Sequence, residues 1–226
     1  MELFPAETLP ERARTWLDFW FGPPDDPERH HHRQIWFRST PQFDAAVRSG
    51  FTADHNAAVA RELTHWEEAP LSALAHVMLL DQVPRHIFRS TPRVWANDPL
   101  ALAAANRALA SGFDREVPPA WRLFFYLPFE HSENLADQRR ALDLILAIPP
   151  VPGRPGDGRM TRLHLEIIER FGRFPHRNAI LGRVSTPEEL AFLAECEHRF
   201  GQPTPEPAPA DASAAVPGPP PCGGPG

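Results

Sequence analysis

The chain has 226 residues, 23 cationic and 29 acidic, and its net charge of −6 with 11 neutral histidines argues against nucleic-acid binding across its whole surface. With 42% hydrophobic and 23% charged residues it has the balance of a soluble globular protein, and no stretch approaches the roughly 18 apolar residues of a membrane span. All 23 cations are arginines, which excludes Schiff-base chemistry, a lysine-anchored pyridoxal phosphate and a P-loop nucleotide site.

The chain opens M-E-L-F-P, acidic and broken by prolines, with no basic or apolar leader segment, which predicts a cytoplasmic protein. Apolar spacing then predicts a first helix over about 9–21, with Trp16, Phe19 and Trp20 on one face and Gly22 as its stop. His30, His31 and His32 read as a solvated loop. Ser39-Thr40-Pro41 opens a second helix, about 41–50, because a Thr hydroxyl satisfies an unpaired N–H and proline has none to satisfy. A third is expected over about 53–66. A fourth, about 70–82, is apolar nearly all round through Leu71, Leu74, Ala75, Met78 and Leu79, so it should lie at the centre. After a turn at about 92–97, Asp98-Pro99 opens an Ala-rich helix ending near Gly112. Helices follow at about 118–127 and 133–147. The segment 149–158 is too rich in Pro and Gly to pack, and a helix at about 160–171 ends at Gly172. Thr186-Pro187 with Glu189 completes a capping box and opens the last helix, about 187–199. No alternating run suggests a strand. The expected fold is all-α, one domain over 1–200 with a disordered Pro/Gly/Ala-rich tail over 201–226. Cys196 and Cys222 are too few for a disulfide framework, and Cys196, with only His198 and Arg199 as basic neighbours, is not expected to be a nucleophile.

Three segments share an apolar run, a proline and then a burst of charge: Leu79 to Arg89, Trp121 to Asp137, and Phe171 to Arg183. Bulky apolar residues want burial, so they carry Asp81, Glu130, His131, Glu133 and His176 to the edge of a core, where carboxylate and imidazole suit proton transfer. The same groups could ligate a metal, although no established zinc spacing is present. Arg85, Arg89, Arg173, Arg177 and Arg183 could hold carboxylate or phosphate bidentately, with Gln82 and Asn178 orienting a carbonyl and Trp20 walling the pocket. The structural alternative is that Glu130 and Glu133 pair with arginines and lock helix ends, which also perturbs titration.

The motifs D-F-W-F-G at 18–22, L-L-D-Q-V-P-R-H-I-F-R-S-T-P at 79–92, Y-L-P-F-E-H-S-E-N-L-A-D-Q at 126–138 and R-F-G-R-F-P-H-R-N-A-I-L-G-R at 170–183 resemble a bacterial family known as domain of unknown function 924. Val83 and His86 depart from its usual Phe and Asn. The resemblance implies an all-helical, tetratricopeptide-like array of antiparallel helix hairpins and brings no established reaction. Two functions therefore stand open: a site for an anionic small molecule, acid/base or metal-assisted, and a non-catalytic module holding a peptide or protein partner in a groove. RNA binding by the arginines is disfavoured by the net charge.

Overall fold

The computed structural model describes residues 9–38 and 40–195. These form eight α-helices linked by short 3-10 turns and contain no strand: α1 Glu11–Phe21, α2 Pro41–Val59, α3 Pro70–Ile87, α4 Asp98–Ala110, α5 Pro119–Glu130, α6 Leu135–Leu146, α7 Arg159–Phe171 and α8 Pro187–Glu195. The all-α expectation holds. Cys196, the end of the helix expected to 199, Cys222 and the tail over 201–226 lie outside the described residues.

Capping chemistry places the helix starts where the sequence puts them. Thr40 accepts from the Phe43 N–H at 3.2 Å with Pro41 in the first turn of α2. At α8, Thr186 Oγ1 accepts from the Glu189 N–H at 3.2 Å, and Glu189 Oε2 accepts from the Thr186 N–H at 2.7 Å. Gly172 closes α7 at φ +67°, in the left-handed region that a side chain rarely adopts.

Three boundaries differ from the sequence reading. The expected break near Gly50 is absent, and α2 runs as one helix. The buried stripe of Val47, Phe51, Asp54, His55 and Ala58 continues across the glycine, and its packing outweighs the roughly 1 kcal/mol that an interior glycine costs. Helix α3 continues past residue 82, through Pro84, to Ile87. Pro84 has no N–H to give the Leu80 carbonyl one turn earlier, and the helix persists because Val83, Pro84, His86 and Ile87 are all buried there. Likewise α5 passes through Pro128 to Glu130, closed by the His131 N–H on the Leu127 carbonyl at 2.9 Å. A proline in the last turn sacrifices one hydrogen bond while Phe129 stays fully buried. The Pro- and Gly-rich 149–158 segment is irregular as expected, yet it packs: Val151 is buried and the Pro152 carbonyl accepts from the His32 N–H at 3.0 Å.

Helix α3 is the axis. Every residue in it except Leu71 and Arg85 is buried, and α1, α2, α4 and α5 all pack on it. Around it Phe21 stacks on Trp121 at 4.2 Å between ring centres, and Phe124 meets Trp20, Phe21 and Trp36 edge-on. Trp36 Nε1 donates to the Trp20 carbonyl at 2.9 Å. Trp20 is thus a core residue. A smaller apolar cluster of Ile167, Ile168 and Phe174, with Leu135, Leu163, Phe171 and Phe192 against it, joins α6, α7, the turn Pro175–Arg177 and α8. Phe124→Ala is expected to cost about 3–5 kcal/mol in urea unfolding, because the surrounding rings cannot collapse into the space left.

Candidate functional site

Asp81 sits on α3 with no exposed side-chain surface, so its charge is stripped of water and must be neutralised by protein groups. Three donors converge on it: Gln82 Nε2 at 2.6 Å, Arg85 Nη2 at 3.0 Å and His131 Nδ1 at 2.7 Å. Burial pushes its carboxyl up, but its donors His131 and Arg85 outweigh it and hold Asp81 well below the usual carboxylate range. Arg85 Nη2 also reaches Asp98 Oδ1, the first residue of α4, at 2.8 Å. From the other side Arg177 Nη1 approaches Asp98 Oδ2 at 3.4 Å, and its Nη2 donates to the His131 carbonyl at 2.9 Å. The contacts close a ring: Asp81, Arg85, Asp98, Arg177, His131 and back to Asp81.

Arg177 is buried over the faces of Phe174 and Trp95, with its guanidinium carbon 4.5 Å and 5.3 Å from the two ring centres. Burial, opposed first by Asp98, pushes it down to about 10. Beside this ring lies a cleft of about 360 Å³. Trp95, Pro99, Leu102, Pro128 and Leu181 make its apolar wall, and Asp98, His131, Ser132, Glu133 and Arg177 supply its polar groups. His131 keeps 14% of its side chain exposed, and its Nε2 has no hydrogen-bond partner among the described residues. The Ser132 hydroxyl donates to Asp137 at 2.8 Å, so it is not held as a nucleophile for His131.

The three charged segments do meet. The second contacts the first through His131 and Asp81, and contacts the third through the His131 carbonyl and Glu133. Of the residues singled out in the sequence, Asp81, Arg85, His131 and Arg177 belong to the ring, Gln82 donates to Asp81 beside it, and Glu133 lines the cleft. Glu133 is held by Arg183 at 2.7 and 2.9 Å and by the Phe174 N–H at 2.8 Å. Burial raises Glu133, but those hydrogen bonds win and its carboxyl lies below its ordinary value.

Others fall elsewhere. Glu130 takes the Thr161 hydroxyl at 2.6 Å and faces His164 at 3.3 Å, away from the cleft lining. Arg173 clamps Glu189 at 2.6 and 2.8 Å, Asn178 donates to Ser185 and Glu189, and Arg89 clamps Asp44 at 2.7 and 3.1 Å. His176 packs beside Phe174, and burial with the Arg177 charge drives it down to about 2, so it is neutral. Trp20 contacts Phe43, His86 and Phe124 and does not line the cleft. Among the described residues no three His, Cys, Asp or Glu side chains are grouped to hold a metal ion. Asp98 and Trp95 were missed. Asp98-Pro99 carries a helix-start signal that masks any second role, and nothing local announces two arginine partners 13 and 79 positions away.

A family model described as bacterial protein of unknown function (DUF924) matches residues 16–197, and the chain belongs to that family. The fold is similar to the solved structure of a protein of unknown function, ATU0120, from Agrobacterium tumefaciens. That likeness has 41% identity and a TM-score of 0.72, covering 81% of this chain and 97% of the other. No curated protein matches.

Two outcomes follow from the geometry. Asp81→Asn leaves Arg85 and His131 without their shared carboxylate, and urea unfolding at pH 7 is expected to show a loss of about 3–5 kcal/mol. His176 stays neutral in the folded chain while the unfolded chain takes up a proton near pH 6.5, so the unfolded state binds more protons on acidification. Stability should therefore fall between about pH 6.5 and 4 at up to about 1.4 kcal/mol per unit for this group, and His176→Asn should flatten that slope.

Proposed function

We propose that this member of the DUF924 family holds a small organic acid in the cleft. Its acid group sits on Arg177 and its body lies against Trp95, Leu102 and Leu181. His131, steered by Asp81, moves a proton at the bound molecule. One observation carries the reading: His131 lines the cleft while its Nδ1–H donates to a fully buried, ionised carboxylate. That bond fixes the tautomer and leaves the Nε2 lone pair as the base. Arg85, Gln82 and the α3 backbone hold Asp81 rigidly, so the imidazole is oriented before anything binds. A cleft of about 360 Å³ is in the size range of small-molecule sites and too small for an extended peptide, which favours this reading over a tetratricopeptide-like module holding a partner in a groove. Among the described residues no helix is long and apolar enough to cross a membrane, and the composition supports a cytoplasmic setting.

A panel of small carboxylates and inorganic phosphate, screened by thermal unfolding, tests it. A compound that binds should raise Tm by about 5 °C or more near 100 times its Kd. Arg177→Ala should abolish that rise. Glu130→Gln should keep it, and His131→Gln should keep binding but stop any turnover of the compound. A flat response across the panel overturns the proposal.

A further inference from the structure

The fixed charges around the cleft cancel. Arg85, Arg177 and Arg183 stand against Asp81, Asp98 and Glu133. Asp81 has three close donors, and both oxygens of Glu133 are engaged by Arg183 with the Phe174 N–H added. Asp98 is different. Arg85 holds one of its oxygens at 2.8 Å, but Arg177 reaches the other only at 3.4 Å, and both Asp98 and Arg177 line the cleft. Arg177 lines the cleft, and its Nε–H is buried with no hydrogen-bond partner among the described residues. An acid seated on Arg177 therefore arrives within a few ångströms of Asp98. Two carboxylates that close, shielded from water, cannot both stay ionised without a large penalty.

Resting on the proposed acid site, we infer that Asp98 is its specificity-determining residue: it occupies Arg177 as a built-in anion, and an organic acid takes its place while Asp98 takes up a proton. The groups facing Asp98 are Arg85 and Asp81 from α3, Arg177 from the turn Pro175–Arg177, and His131 at the end of α5. Burial pushes the Asp98 carboxyl above its ordinary value, against the pull of Arg85 and Arg177. The ligand class follows. Monoanions with an apolar body fit, because one arriving charge is balanced by one proton. A dianion leaves a second charge unmatched in the cleft and is rejected.

Calorimetric titration with benzoate, which stays ionised across pH 5.5–8, tests this. Wild type should bind about tenfold more weakly per pH unit in the upper part of that range. It should also take up close to one proton per benzoate, read from buffers of different ionisation enthalpy. Asp98→Asn should bind more tightly at pH 7.5, with no pH slope and no proton uptake. Should that variant not fold, proton uptake by His131→Gln decides: its persistence supports Asp98, and its loss assigns the proton to His131 and overturns the inference. Weaker binding in Asp98→Asn at every pH also overturns it. Arg177-dependent binding without any pH dependence removes the role of Asp98 and leaves the acid site standing. No benzoate binding at any pH overturns the inference, and the acid site then stands or falls with the panel.

Discussion

A carboxylate without water fixes the architecture. Asp81 sits midway along the most buried helix of the molecule, and an ion in that position survives only if hydrogen-bonding cations are brought to it. Those donors come from α3 itself and from the residue that ends α5. Because the α5 terminus must present its imidazole inward, its carbonyl is left facing the other way, where Arg177 binds it. The turn that carries Arg177 is thereby docked on the end of α5, and Asp98 at the head of α4 is drawn in between. One desolvated charge accounts for the meeting of three segments distant in sequence.

Arginine is suited to the linking positions in a way lysine is not. Arg85 spans two carboxylates with a single terminal nitrogen, and Arg177 combines a carboxylate, a carbonyl and two aromatic faces in one planar group. An ammonium on a flexible stem has no plane to lay on Phe174 and Trp95. A lysine-free composition, whatever its origin, therefore works at this ring as a set of rigid cross-links.

The fold was largely legible in the sequence because its signals are local. The Thr40-Pro41 and Thr186-Pro187-Glu189 caps, Gly172 at a positive φ and the apolar run of α3 each depend on neighbours within a few positions. Where tertiary packing decides, local reading fell short. Gly50 and Pro128 signal breaks, and the buried stripes of α2 and α5 run straight through them. The site was legible in part for the same reason. Asp81, Arg85 and His131 stand out as charges beside apolar bulk, but Glu130 carries the same mark and faces Thr161 and His164 instead, one step further round α5. Asp98 is ordinary in sequence and becomes notable only through partners from α3 and the Pro175–Arg177 turn.

The small apolar cluster under α7 and α8 gives the molecule two tiers of stability. It rests on a few buried side chains, Ile167, Ile168 and Phe174, whereas the cluster around α3 draws on most of the chain. Transient opening should start in the smaller unit, well below the free energy of global unfolding. Such an opening would carry Phe174, Arg177 and Arg183 away together and remove one wall of the cleft, with Asp81 and His131 left on α3 and at the end of α5. Anything that grips Arg177 consequently clamps this unit shut, so occupancy would register as slowed amide exchange along α7, far beyond the atoms it touches.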